Sequence, residues 1–102
     1  MISKDAQALG RELERLVREL RRGDRAVASV ADAAHRLAQA LADAAADARG
    51  DRRRPVPRLA DHALADQVAV VGRELLDALA AGHEADLDAV VAALRSLRGP
   101  SE

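Results

Sequence analysis

Phenylalanine, tyrosine, tryptophan and cysteine are all missing from these 102 residues. Without cysteine, disulfides, thiolate metal sites and cysteine nucleophiles are excluded together. Without aromatic rings, the core forgoes the side chains that bury the most area, and no stacking platform for single-stranded nucleic acid can be built. Charge of one sign is scarce as well. Sixteen basic residues against 17 acidic ones leave a formal −1, so no global field draws the chain to nucleic acid or to an anionic membrane. No stretch approaches the roughly 18 consecutive apolar residues of a membrane span. The first five residues, Met1-Ile2-Ser3-Lys4-Asp5, reach charge before any apolar segment, and a cytoplasmic location is expected.

What is present is alanine, at 25 residues, with 14 leucines, nine valines and a single isoleucine. All but one of the basic residues are arginine, Lys4 being the exception. High-GC coding produces this bias, which points to a bacterial chain. Designed bundles carry Glu and Lys outside and Leu inside, a different pattern.

Apolar spacing gives the elements. Ile2, Ala6, Leu9, Leu13, Leu16 and Leu20 alternate steps of three and four, the stripe of an amphipathic helix over about 3–22. Arg21-Arg22-Gly23-Asp24 then supplies cations for a last turn, a glycine stop and an aspartate cap. Val27, Val30, Ala34, Leu37, Leu41, Ala45 and Ala48 carry a second helix over about 24–49, closed by the same signal at Arg49-Gly50-Asp51. Residues 50–57 form an Arg- and Pro-rich loop, with Pro57 suited to a first helical turn. Leu64, Val68, Val71, Leu75 and Leu79 place a third helix over about 58–81, ended at Gly82. Leu87, Val90, Val91, Leu94 and Leu97 give a fourth over about 84–98, with 99–102 a frayed tail.

The expected architecture is therefore all-α, a small antiparallel four-helix bundle forming a single helical domain over 1–102. An alternative is one long kinked helix over 3–49 with two shorter helices, in a dimer, because a seven-residue count from Leu13 runs through Val27, Ala34 and Leu41 without a slip. Gly23 would occupy a core slot of such a coil at a cost of about 1 kcal/mol, which favours the break. In an up-down-up-down arrangement the short fourth helix would leave part of the groove between helices one and three uncovered, a place for a partner helix or a second subunit.

Chemical motifs are few. No nucleophile elbow or glycine-rich phosphate loop occurs, and no serine–histidine arrangement; enzymatic activity, a cofactor and a metal are not expected. His35 lies one turn after Asp32 and His62 one turn before Asp66; a carboxylate and a histidine three apart, as Asp32 and His35 are, can share a cation, but bundle metal sites need further carboxylates, and the three histidines are read as solvated. The two Arg-Gly-Asp tripeptides are read as helix ends and not as adhesion signals. The expected function is a non-enzymatic protein-protein interaction or oligomerisation module, binding a second copy or a partner helix. The Ala-rich second helix, through Ala31, Ala34, Ala38, Leu41 and Ala45, is the candidate interface, since small side chains let axes approach closely. The alternative is a small regulator that binds nucleic acid or another polyanion through Arg52, Arg53, Arg54 and Arg58, whose forked donors suit phosphate.

Overall fold

The computed structural model describes residues 4–22 and 28–98. These form an all-helical bundle with α1 at Lys4–Arg22, α2 at Ala28–Arg49, α3 at Leu64–Ala80 and α4 at Asp88–Arg98. A single 3₁₀ turn, Asp61–Ala63, leads into α3. The Cα radius of gyration is 13.0 Å, the value of a compact domain of about 100 residues. One apolar cluster receives side chains from all four helices, including Leu13, Leu37, Leu41, Leu75 and Val90.

Helix α3 is the centre of the layout: α1 packs on it, α2 packs on it, and α4 packs against α2. The senses of the helices follow from contacts along their lengths. Gly10 faces Leu76 and Gly72 faces Leu13, while Arg21 bonds Asp66 at 2.9 Å, so α1 and α3 are antiparallel. Against α2 the order is the same in both helices, with Leu41 beside Gly72 and Arg49 donating to the Glu74 carbonyl. Helices α2 and α3 therefore ascend together. A short hairpin cannot join helices of one sense, so the connection must return along the pair, which is what residues 51–60 do. In the expected up-down-up-down order α1 and α3 would share one sense and α2 would oppose both; here α2 and α3 share a sense and α1 opposes both, so the order is met at α1 with α2 and fails at α3. The alternative continuous helix over 3–49 is not found, because α1 and α2 run in opposite senses relative to α3.

Two of the glycine stops are realised in full. Gly50 has φ 76° and Gly82 φ 97°, the left-handed conformation that ends a helix without a Cβ clash. At each, paired backbone bonds close the last turn: Gly50 N–H to Asp47 and Asp51 N–H to Ala46 after α2, and Gly82 N–H to Leu79 and His83 N–H to Ala78 after α3. Ile2, the Gly23-Asp24 break and the tail at 99–102 lie outside the described residues.

Helix starts differ from the expected ones. Helix α3 begins at Leu64 and not at about 58, and Pro57 stands in the extended connection, because side chains of α2 and α3 claim the backbone of residues 54–57. Helix α4 begins at Asp88 and not at about 84. There the Asp86 carboxylate accepts the Asp88 N–H at 2.9 Å and caps the first turn.

Candidate functional site

Two surfaces flank α3. The first is the connection between α2 and α3, which lies as an extended strap along α2. A polar stripe spaced by three or four residues, Asp32, His35, Gln39, Asp43 and Asp47, runs up one face of that otherwise alanine-rich helix, and every member takes hold of the strap or of a neighbour that does. Arg53 binds Asp47 through two donors, Nε at 2.9 Å and NH2 at 2.6 Å, with Asp43 at 3.8 Å. The Gln39 amide donates to the Arg54 carbonyl at 3.0 Å and to Asp43 at 2.9 Å. Its oxygen accepts the Val56 N–H at 2.8 Å, as a neighbouring β-strand would. His35 Nε2 donates to the Val56 carbonyl at 2.9 Å, and Arg58 pairs with Asp32 at 2.7 Å. From α3, Gln67 Nε2 reaches the Pro57 carbonyl at 2.9 Å. That carbonyl demands a donor and so fixes the amide's orientation, leaving Gln67 Oε1 buried with no partner among the described residues.

The ladder is dimensionally consistent. Asp47 to Asp32 spans about 22 Å of helix at 1.5 Å per residue, and Arg53 to Arg58 covers about 16 Å as extended backbone; arginine side chains at both ends supply the difference. Val56 is half-buried and packs on the core, while Pro55, Pro57, Arg52 and Arg54 are exposed. Electrostatics favour the anchored end: the hydrogen bond from Arg53, reinforced by its charge, holds the Asp47 carboxyl below its ordinary value against a smaller opposing effect of desolvation. The same contact raises the Arg53 guanidinium further.

The second surface is an open groove of 340 Å³ between α1 and α3. Its floor combines Gly10, Leu13 and Val17 of α1 with Val68, Ala69, Gly72 and Leu76 of α3, and its rim carries Arg18, Arg21 and Arg73 against Glu14. Gly72 leaves room for Leu13; a Cβ there would stand 3.1 Å from Leu13 Cδ1.

The residues expected to act redistribute between these surfaces. Ala31, Ala34, Ala38, Leu41 and Ala45 are all buried, none more than 6% exposed, so they pack this chain's own core and offer no surface to a partner. Their small size serves the α2 contacts inside the bundle. Arg52, Arg53, Arg54 and Arg58 do lie together on the strap, but Arg53 and Arg58 are held by internal carboxylates; Arg52 and Arg54 form no ion pair among the described residues. His35 is not a solvated histidine: it is half-buried and bonded to the strap, and Asp32 is engaged by Arg58, so the pair is spent on structure and not on a cation. Arg49 of the second Arg-Gly-Asp likewise bonds α3. The pins His35, Gln39 and Gln67 were not foreseen. The polar stripe on α2 was the available signal, since a wet face needs no such regular partner-making set beside a proline-rich loop.

No helix among the described residues is long and apolar enough to cross a membrane. Comparison with protein-family models, curated proteins and solved structures gave no match to any of them.

Proposed function

We propose that this chain is a non-enzymatic protein-binding module of a bacterial cytoplasm, and that its binding surface is the α1/α3 groove, occupied by an amphipathic helix with an acidic flank. The groove itself carries the reading. Its floor is apolar and includes two glycines, which lets a helix approach the backbone closely, and it follows about three turns of α1 from Gly10 to Arg21. Of its rim arginines, Arg21 is paired with Asp66 and Arg73 with Asp77, which leaves Arg18 to meet a carboxylate beside the apolar face of the incoming helix. The short α4 packs on α2, so the bundle supplies no fourth helix to this side.

The test is a titration of the ¹⁵N-labelled full chain with a synthetic amphipathic Leu/Glu helix, alongside light scattering of the chain alone. Saturable shifts of the Gly10 and Gly72 amides, lost in Ala69→Glu, are expected. A dimer that Ala69→Glu dissolves would make a second copy the occupant. A monomer whose Gly10 and Gly72 amides ignore the peptide would refute the reading.

A further inference from the structure

We propose that the strap is a second, independent recognition element: an extended proline–arginine segment displayed for a partner protein whose groove carries aromatic rings and carboxylates. The backbone is prepared for this twice over. Pro55 and Pro57 fix their own φ, and each forces the residue before it, Arg54 and Val56, into the extended region. One edge is then anchored, with Gln39 on the Arg54 carbonyl and Val56 N–H, His35 on the Val56 carbonyl and Gln67 on the Pro57 carbonyl. An extended proline segment has three residues per turn, so turning Val56 toward the core leaves both prolines facing out, as observed. A segment already ordered loses little entropy when a groove closes on it, and proline-rich segments dock between aromatic rings for this reason.

Charge decides between a protein groove and a polyanion. Arg53 and Arg58 are neutralised by Asp47 and Asp32, so the outer face offers two free guanidiniums, Arg52 and Arg54, beside two prolines. Two phosphate contacts give only weak, salt-sensitive affinity, whereas guanidiniums beside prolines match a groove lined by rings and carboxylates. The chain has no aromatic residue, so a second copy cannot supply that groove.

The experiment titrates the ¹⁵N-labelled full chain with an SH3 domain and, separately, a WW domain, two aromatic proline-binding grooves. Expected are saturable shifts confined to residues 52–58. The double variant Pro55→Ala/Pro57→Ala should weaken binding at least roughly tenfold, by removing the ring contacts and the fixed φ together. Gln39→Ala keeps every contact residue but frees the backbone, and should weaken binding roughly three- to tenfold, the loss for ordering one or two more residues on association. Its melting curve establishes that the bundle stays folded at the titration temperature. No shift with either domain at about 1 mM, weaker than any useful affinity, would overturn the proposal. So would binding that survives the double proline variant, or tighter binding to a heparin fragment that disappears with added salt, which would make the strap a polyanion site.

Discussion

The two sides of α3 are built from residues of similar size and come out opposite. Toward α2 the small residues are alanines, buried to between 0 and 6% exposure at Ala31, Ala34, Ala38 and Ala45, and the seam is covered by a strap pinned through its backbone. Toward α1 the small residues include Gly10 and Gly72, and the seam opens into a 340 Å³ groove. An alanine still presents a methyl group that fills space between axes; a glycine presents none, so the volume it vacates is either taken by a neighbouring leucine, as Leu13 does at Gly72, or left open. Covering one side and not the other also follows from polarity. The α2 face carries hydrogen-bonding side chains at regular spacing, which hold an extended backbone, whereas the groove offers apolar floor and charged rim and nothing to hold a strand.

The sharpest way to break that contrast uses two adjacent leucines. Leu75 is fully buried, while its neighbour Leu76 lines the groove. Leu75→Ala should cost about 3 kcal/mol, within the range for a sealed core site; Leu76→Ala should cost about 1 kcal/mol, because the missing methyls bordered solvent already. Denaturant melts of both variants measure the difference. Equal losses would mean that the groove is as closed as the core.

Enlarging a small residue tests the same distinction from the other direction. Ala38 is 0% exposed, and Ala38→Leu should destabilise by about 1 to 3 kcal/mol through overpacking. Ala69→Leu extends into the groove and should be tolerated within about 0.5 kcal/mol, the usual range for a change that meets no packed neighbour. A comparable loss at both positions in thermal melts would contradict an open seam at α1.

A subtler comparison is between the glycines. At Gly10 an added Cβ would meet Leu76 at 3.6 Å, an ordinary contact, whereas at Gly72 it would meet Leu13 Cδ1 at 3.1 Å with Leu41 at 3.8 Å behind it. Both positions are helical, so alanine should gain up to about 1 kcal/mol of helix propensity at each. At Gly10 that gain should appear as a raised melting temperature. At Gly72 the crowding between Leu13 and Leu41 should cancel or reverse it, and a gain equal to that of Gly10→Ala would show that the close approach exerts no force.

The regular part of this fold was legible because it rests on local signals. The three–four spacing of Ala6, Leu9 and Leu13, the stripe Leu64, Val68 and Leu75, and the left-handed stops at Gly50 and Gly82 are all readable from neighbouring residues. The course of the strap was not, because it depends on side chains of α2 and α3 meeting the backbone of residues 54–57 across 10 to 21 positions in sequence. For the same reason Ala38 and Leu41 looked like an interface: a broad alanine face shows that something packs closely there, but not whether the neighbour is the same chain. The sequence led to an α1/α3 groove open at one end only, from a fourth helix too short to cover it, whereas the seam is open because α4 packs on α2, a choice of neighbour that helix length does not encode. The glycine floor of that seam was not legible either, for Gly10 and Gly72 carry no periodic signal of their own.

Acid should separate the two sides with the smallest perturbation. The Asp47 carboxyl is held below its ordinary value of 3.8 chiefly by the hydrogen bond from Arg53. A carboxyl whose folded value lies below its unfolded one adds stability that is present above the unfolded value and is lost as pH falls through the folded one. The strap anchor should therefore be intact above about pH 4 and weaken only below it, and since the pair is exposed, added salt should diminish the effect. In a pH titration followed by NMR, the Arg53 amide and side-chain signals should shift in that acid window. Asp47→Asn should remove the step, because the amide keeps the shape and loses the charge. The Gly10 and Gly72 amides, which line the α1 seam and touch no part of the strap, should not share its midpoint. If they do, the strap and the α1 seam respond as one unit, and the closed and open sides of α3 are not energetically separate.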